Sequence, residues 1–268
     1  MQRTRIFLAA AAALALSTTL FAQNSSPGYH SVTCYKLKPD STAAFNKFES
    51  EEVRKIAQAR VDLGEITGWY LLRAAVPMGE SADCDYVVVA LYPRTPHPFA
   101  GEVLASAIRK SGLNLTPEDY VRHRAEVLRI MSVAIFQNEA AVGMPKKGDY
   151  FQVNYMKVSD ANFDDWIAYE KKVWQPMAES LVKDGKEDGW SLNVQVMPFG
   201  SDLPYQAVTV DVYPSEDAVF TEDPQFVDRF HKVHPDMEAG TTMEHFEKLR
   251  TRGRVALYSL DDIVAATH

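Results

Sequence analysis

Gly68-Trp69-Tyr70-Leu71-Leu72-Arg73-Ala74-Ala75-Val76-Pro77-Met78-Gly79 returns 121 residues later as Gly189-Trp190-Ser191-Leu192-Asn193-Val194-Gln195-Val196-Met197-Pro198-Phe199-Gly200. The two stretches share a Gly-Trp start, a Leu two residues after the Trp and a Pro-x-Gly exit. Working outward at the same spacing, Lys36 falls on Lys157, Glu49 on Glu170, Gly64 on Gly185, and Tyr92-Pro93 on Tyr213-Pro214. Glu126, Leu128 and Arg129 fall on Glu247, Leu249 and Arg250. One structural unit is therefore written twice in the 268 residues, and an element placed in one copy predicts its counterpart in the other.

In the first copy His30 to Leu37 reads as a strand, and Pro39-Asp40-Ser41 supplies a turn and a helix cap. Phe45, Phe48, Val53, Ile56, Ala57 and Leu63 recur at helical spacing. Trp69 to Val76 and Tyr86 to Tyr92 read as strands ended by Pro77 and Pro93, with Gly79-Glu80-Ser81 as the hairpin loop. A looser connection over 94–116 holds a short helix near Ala100 to Lys110, and Pro117-Glu118-Asp119 opens another that runs to about Arg129. Met131 to Phe136 is the closing strand. The second copy predicts a strand at 150–158, a helix at 161–184, strands at 190–197 and 206–213, a helix at 238–251 and a strand at 254–259. The order is β-α-β-β-α-β twice, an α+β fold in which an antiparallel sheet carries two helices on one face. The two units are expected at 29–140 and 149–262, joined by Pro145-Lys146-Lys147-Gly148.

Lys36-Leu37-Lys38-Pro39-Asp40, then Phe45 and Phe48, Gly68-Trp69, and Tyr86-Val87-Val88-Val89-Ala90-Leu91-Tyr92 resemble the dimeric α/β-barrel superfamily. Within it the chain is most similar to NIPSNAP-type and antibiotic-biosynthesis-monooxygenase-type domains. The resemblance covers nearly the whole chain beyond the first residues. It implies tandem ferredoxin-like units that form an intramolecular dimeric α/β barrel, a pseudo-dimer already complete as a monomer. It also implies, as one functional reading, a cofactor-independent oxygenase or isomerase, and it raises haem, which some barrels of this fold bind through a helix-borne His.

Arg3 and Arg5 precede an apolar, Ala-rich run from Ile6 to Leu16, and Leu20-Phe21-Ala22 follows. The run is too short to span a bilayer and has the flanks of a secretory signal, so residues 1–22 are expected to be cleaved and the protein exported, periplasmic or extracellular. Cleavage removes two arginines and no acid, leaving 26 basic against 36 acidic residues and a net charge of −10. Such a surface disfavours nucleic acid and anionic membranes, which need clustered Lys and Arg. No later stretch is long and apolar enough for stable membrane insertion. Cys34 and Cys84 are the only cysteines; an oxidising compartment permits a disulfide, and two buried thiols are the alternative.

Alternation along the strands separates two faces. Trp69, Leu71, Trp190 and Leu192, together with Val87, Val89, Leu91, Val208, Val210 and Val212, form an apolar set expected under the helices. The opposite face carries Thr33, Tyr35, Tyr70, Leu72, Tyr86, Val88 and Tyr92 in copy one. In copy two it carries Gln152, Asn154, Ser191, Asn193, Gln195, Thr209, Asp211 and Tyr213. Closing the sheets on each other sets an aromatic wall against an amide-rich one. Buried amides need partners, supplied by each other, by water or by a polar ligand. Tyr35, Gln152, Asn154, Asn193, Gln195, Asp211 and Tyr213 are therefore the candidate ligand-binding residues, and Asp211 is the one candidate acid or base, its pKa open to elevation in a confined site.

Glu49 with Arg129 and Glu170 with Arg250 are placed to pair between the two helices of each unit, a scaffold role repeated in both copies. His231 and His234, three residues apart before Pro235, are the residues through which haem would bind; otherwise no cofactor and no metal site is expected. No Cys-x-x-Cys-His, His-Glu-x-x-His, Gly-x-Ser-x-Gly or phosphate-cradling motif occurs. The functional expectation is an exported protein that binds a small polar or aromatic molecule in an intersheet or sheet–helix pocket. The oxygenase- or isomerase-like enzyme and a structural or partner-binding module without ligand are the alternatives.

Overall fold

The structure is a computed structural model that describes residues 28–96, 101–200 and 202–265. The expected signal segment lies outside these residues. The first half runs β1 (Tyr29–Leu37), α1 (Thr42–Phe48), one wide turn at Glu49–Val53, α2 (Arg54–Asp62), β2 (Gly68–Val76), β3 (Tyr86–Tyr92), α3 (Gly101–Ser111), α4 (Pro117–Val127) and β4 (Leu128–Gly143). The second half repeats it as β5 (Tyr150–Val158), α5 (Phe163–Lys183), β6 (Gly189–Met197), β7 (Ala207–Tyr213), α6 (Glu216–Phe220), α7 (Phe226–Val233), α8 (Ala239–Leu249) and β8 (Arg250–Ala265).

Local signals set the boundaries. Thr116 caps α4 by accepting from the Asp119 amide while the Asp119 carboxylate accepts from the Thr116 amide, with Pro117 at the first helical position. Gly64 and Gly185 follow α2 and α5 with φ of +68° in both copies, and each amide bonds back into the last helical turn.

The eight strands close into one barrel in the order β1-β3-β2-β8-β5-β7-β6-β4. The closure depends on two long strands of 16 residues each, where a short closing strand is predicted. The first part of β4 pairs with β1 and its last part with β6 of the other half. In the same way β8 pairs first with β5 and then with β2. Each half thus donates the strand that covers the other half's open edge, and no edge is left for association with other chains. Gly143, with φ of +73°, sits where a Cβ would run into the Asp188 carbonyl across this seam.

Three apolar layers follow. Phe45, Phe48, Ile66, Trp69, Leu71, Tyr86 and Tyr92 pack between helices and barrel in the first half. Trp166, Met177, Trp190, Leu192, Phe230 and Phe246 do so in the second. Inside the barrel lie Tyr70, Leu72, Val87, Phe151, Val212, Tyr258 and Leu260.

This arrangement corrects the expected faces. Trp69, Leu71, Trp190 and Leu192 lie under the helices as predicted, and Tyr70, Leu72, Ser191 and Asn193 face inward. On β3 and β7 the assignment is reversed: Val87, Val89, Leu91, Val208, Val210 and Val212 point into the barrel, while Tyr86, Tyr92, Thr209 and Asp211 take the outer side. Tyr35 likewise packs with the first helix–sheet core rather than facing the second sheet. A closed barrel covered by helices buries both faces, so β3 is apolar on both and β7 carries Thr209 and Asp211 on its covered helix side, and alternation alone cannot orient them.

The Glu49–Arg129 pairing is also corrected. The spacing between copies becomes 122 after the third strand, so that Pro117 corresponds to Ala239 and Leu128 to Arg250. Arg129 is then the counterpart of Thr251, lies exposed on β4 and forms no ion pair among the described residues. Arg250 does approach Glu170, with Nε 3.7 Å from Oε1. Of the two readings open for the cysteines, the structure holds the disulfide, Cys34 to Cys84, with Cα atoms 5.2 Å apart.

Candidate functional site

The barrel interior is not filled. A cavity of about 580 Å³ runs through it, within the range of small-molecule sites. Its wall is mostly aliphatic and aromatic. Val32, Val89, Val153 and Val210 come from the four inner strands of the two halves, and Phe136, Phe151, Tyr70 and Tyr258 add rings. The Cys34–Cys84 disulfide borders it, next to Tyr155 and Tyr205, whose rings meet edge-on at 4.6 Å. Arg254 lies over the Tyr155 ring and pairs with Asp83, so the two charged groups on the wall neutralise each other.

One strip of the wall is polar, and it crosses three adjacent strands. Asn138 on β4 stands opposite Asn193 on β6, and the Asn138 amide donates to Asn193 Oδ1 at 2.9 Å. The Asn193 amide in turn donates to Ser191 Oγ at 2.9 Å. On the other side of β4, His30 of β1 pairs across from Phe136, two residues from Asn138 and on the same face. Its ring stacks on Phe136 with centroids 5.4 Å apart and planes 8° off parallel. Burial pulls the His30 pKa down to about 4, so the imidazole is neutral. A break in register at Glu139 keeps Asn138 turned inward while Ala140 goes to the helix side.

A second polar group lies outside the barrel wall, beneath α5. Asn154 on β5 donates to Asp211 on β7 at 2.7 Å, and Gln152 reaches Asn154 at 3.5 Å. Glu187, just before β6, and Glu170 on α5 are buried nearby, each with one carboxylate oxygen sealed and without a partner. Burial raises both Asp211 and Glu187, and the Asp211 charge pushes Glu187 further. The Asn154 hydrogen bond and Arg252 oppose the rise at Asp211. Tyr213 is raised by its own burial and by the same two acids. Glu170 accepts from the Trp166 indole at 3.0 Å, and burial lifts it to about 8 against the opposing pull of Arg250.

The candidates therefore separate. Asn193 faces the lumen. Gln152, Asn154, Asp211 and Tyr213 belong to the helix side of the second half, and Tyr35 to the helix side of the first. Gln195 is buried and donates to the Pro198 carbonyl, pinning the β6–β7 hairpin. His30, Asn138 and the Tyr155–Tyr205 pair were not among the expected residues. Asn138 falls beyond the short strand predicted before it, and His30 is a lone histidine at a strand start. The histidines considered for haem do not converge on a cavity. His231 is exposed on α7, and His234 has its Nε2 bonded to the Val173 carbonyl at 3.0 Å. Neither of these two histidines is placed to ligate a haem in the cavity. No group of three or more metal-ligating side chains occurs among the described residues, and none of their helices is long and apolar enough to cross a membrane.

No protein-family profile and no curated protein matches the chain. Solved structures do. A candidate monooxygenase from Fusobacterium nucleatum subsp. nucleatum ATCC 25586 superimposes with a TM-score of 0.57 at 9% identity, over 89% of this chain and 94% of its own. One from Lactobacillus acidophilus NCFM gives 0.52 at 13% identity, over 89% and 96%. At such identities the likeness establishes the fold: two ferredoxin-like units forming one α/β barrel, here within one chain. A haem-binding protein from Thermus thermophilus matches with a TM-score of 0.44 at 13% identity over 87% and 91%, too remote to argue for a cofactor.

Proposed function

We propose that this is an exported protein that binds a small, largely apolar molecule inside its barrel, with a polar end of that molecule held by the Asn138–Asn193–Ser191 strip. The observation that carries the reading is the 580 Å³ cavity with an amide pair set into an otherwise apolar wall. A core without a ligand gains nothing from two carboxamides at its centre, since apolar residues of the same shape would pack there without the cost of desolvating them. Export is supported by the Arg3–Ala22 pattern and by the disulfide, which belongs to an oxidising compartment. The enzyme alternative draws on fold neighbours alone, whereas the cavity and its polar strip belong to this chain.

The test is native mass spectrometry of protein purified from its own export route. We expect a mass beginning near residue 23 that carries a non-covalent small molecule, and Asn193→Leu should weaken its retention about tenfold. An apo mass, together with no thermal shift from any apolar probe, sinks the reading.

A further inference from the structure

His30 is the one imidazole on the lumen wall among the described residues. It is 9% exposed, and it forms no hydrogen bond among the described residues. The residue lines the cavity. Stacking on Phe136 fixes the plane of the ring, and its place on β1 aligns it with Asn138 and Asn193 across two neighbouring strands.

We propose that His30 is the recognition group of this cavity and selects an uncharged molecule whose polar end donates and accepts hydrogen bonds at once, as a hydroxyl does. The inference rests on the lumen-binding reading above and names the class of ligand. A neutral imidazole offers one donor and one acceptor. Ser191 Oγ already accepts from Asn193, so its hydroxyl proton is free to donate. A ligand hydroxyl matches whichever ring nitrogen of His30 faces the lumen, giving its proton to the acceptor nitrogen or receiving one from the N–H. An ether receives but gives nothing, and leaves the acceptor nitrogen buried and unmatched. An anion finds no uncompensated positive charge among the described lining residues, because Arg254 pairs with Asp83 and His30 is uncharged. Desolvating a carboxylate there has no compensation.

The experiment is a fluorescence titration of the disulfide-bonded protein at neutral pH with 2-naphthol, 2-methoxynaphthalene and 2-naphthoate. We expect naphthol to bind about tenfold tighter than its methyl ether, with naphthoate weakest. His30→Phe keeps the stacked ring and should erase the margin between naphthol and ether. His30→Gln, which restores a donor and an acceptor, should recover part of it. Near-ultraviolet circular dichroism reports whether each variant is folded, and if neither is, the ranking on the unaltered protein decides. Equal binding of naphthol and ether, or a margin that survives His30→Phe, overturns the role of His30 and leaves the lumen reading standing. Naphthoate binding best overturns the uncharged class. If none of the three binds, the lumen reading falls together with the inference.

Discussion

Glu170 is 1% exposed, bonded on one oxygen to Trp166 and sealed without a partner on the other. Its counterpart Glu49 is only partly covered, so the same acid sits in two environments at the same place in the repeat. Around Glu170 the second half has exchanged residues of the first for acids and an amide. At the spacing of 121, Ile66 becomes Glu187, Ala90 becomes Asp211 and Thr33 becomes Asn154. Burial keeps Glu170 protonated to about pH 8 in the folded state, whereas in the unfolded chain it ionises near its ordinary 4.5. Between these values the folded state holds a proton that the unfolded state has lost. Stability from this group is therefore complete below about pH 4.5 and declines as pH rises toward 8. The decline is about 1.4 kcal/mol per pH unit for one such group. His30 acts in the other sense. Its folded pKa is lowered to about 4, so its contribution is lost as pH falls from about 6.5 toward 4. Urea denaturation from pH 4.5 to 8.5 should show stability falling toward the alkaline end, and Glu170→Gln should flatten the fall by about one proton. A variant with an unchanged slope means that Glu170 ionises freely in the folded protein.

Among the elements, β1 and the segment leading into β3 are joined by the Cys34–Cys84 bridge, which closes a loop of 50 residues containing α1, α2 and β2. Denying the unfolded chain that loop's freedom is worth about 2–4 kcal/mol. The bridge also steadies the segment carrying Asp83, which holds Arg254 beside the cavity. Reduction, or Cys34→Ser with Cys84→Ser, is expected to lower the unfolding free energy read from urea denaturation by that amount and to speed release of a bound probe; an unchanged free energy would mean that β-pairing alone confines the loop. Much of the element plan was legible from the repeat, because β1, β2 and β3 return as β5, β6 and β7 at the spacing of 121 with the same Gly and Pro boundaries. Two things were not. One added residue before α8 moved the final elements to 122, which in a strand exchanges the faces and detached Arg129 from the pairing that Arg250 does make. The other is burial on both sides. Tyr86-Val87-Val88-Val89-Ala90-Leu91-Tyr92 offers no polar residue to mark an outside, so its inward set emerged only from the register with β1 and β2. The same ambiguity split the amide-rich wall, sending Asn193 into the lumen and Asp211 under α5.

For the whole molecule, closure of the barrel makes the two halves mutually dependent. In isolation the first half would expose the outer edge of β2 and the last part of β4, which in the intact chain are covered by β8 and β6. These are the two edges that a second copy of the same half can satisfy: β4 of one copy on β2 of the other, and the reverse, around a two-fold axis. Residues 23–147 expressed alone are therefore expected to form a homodimer by sedimentation or light scattering. When the fragment 148–268 is supplied, the homodimer should exchange to a heterodimer. The exchange is favoured because the strip Asn138–Asn193–Ser191 is assembled across the β4–β6 seam and exists only when a first half meets a second. In the homodimer, Tyr70 and Leu72 take the places of Ser191 and Asn193, which leaves Asn138 facing apolar residues. The mixed pair should thus outcompete the homodimer and hold 2-naphthol more tightly, since only His30 and Asn138 of the polar strip remain in the homodimer. A folded, monomeric first half would contradict the edge argument, and a homodimer that holds 2-naphthol as tightly as the mixed pair would show that the second half contributes nothing to recognition.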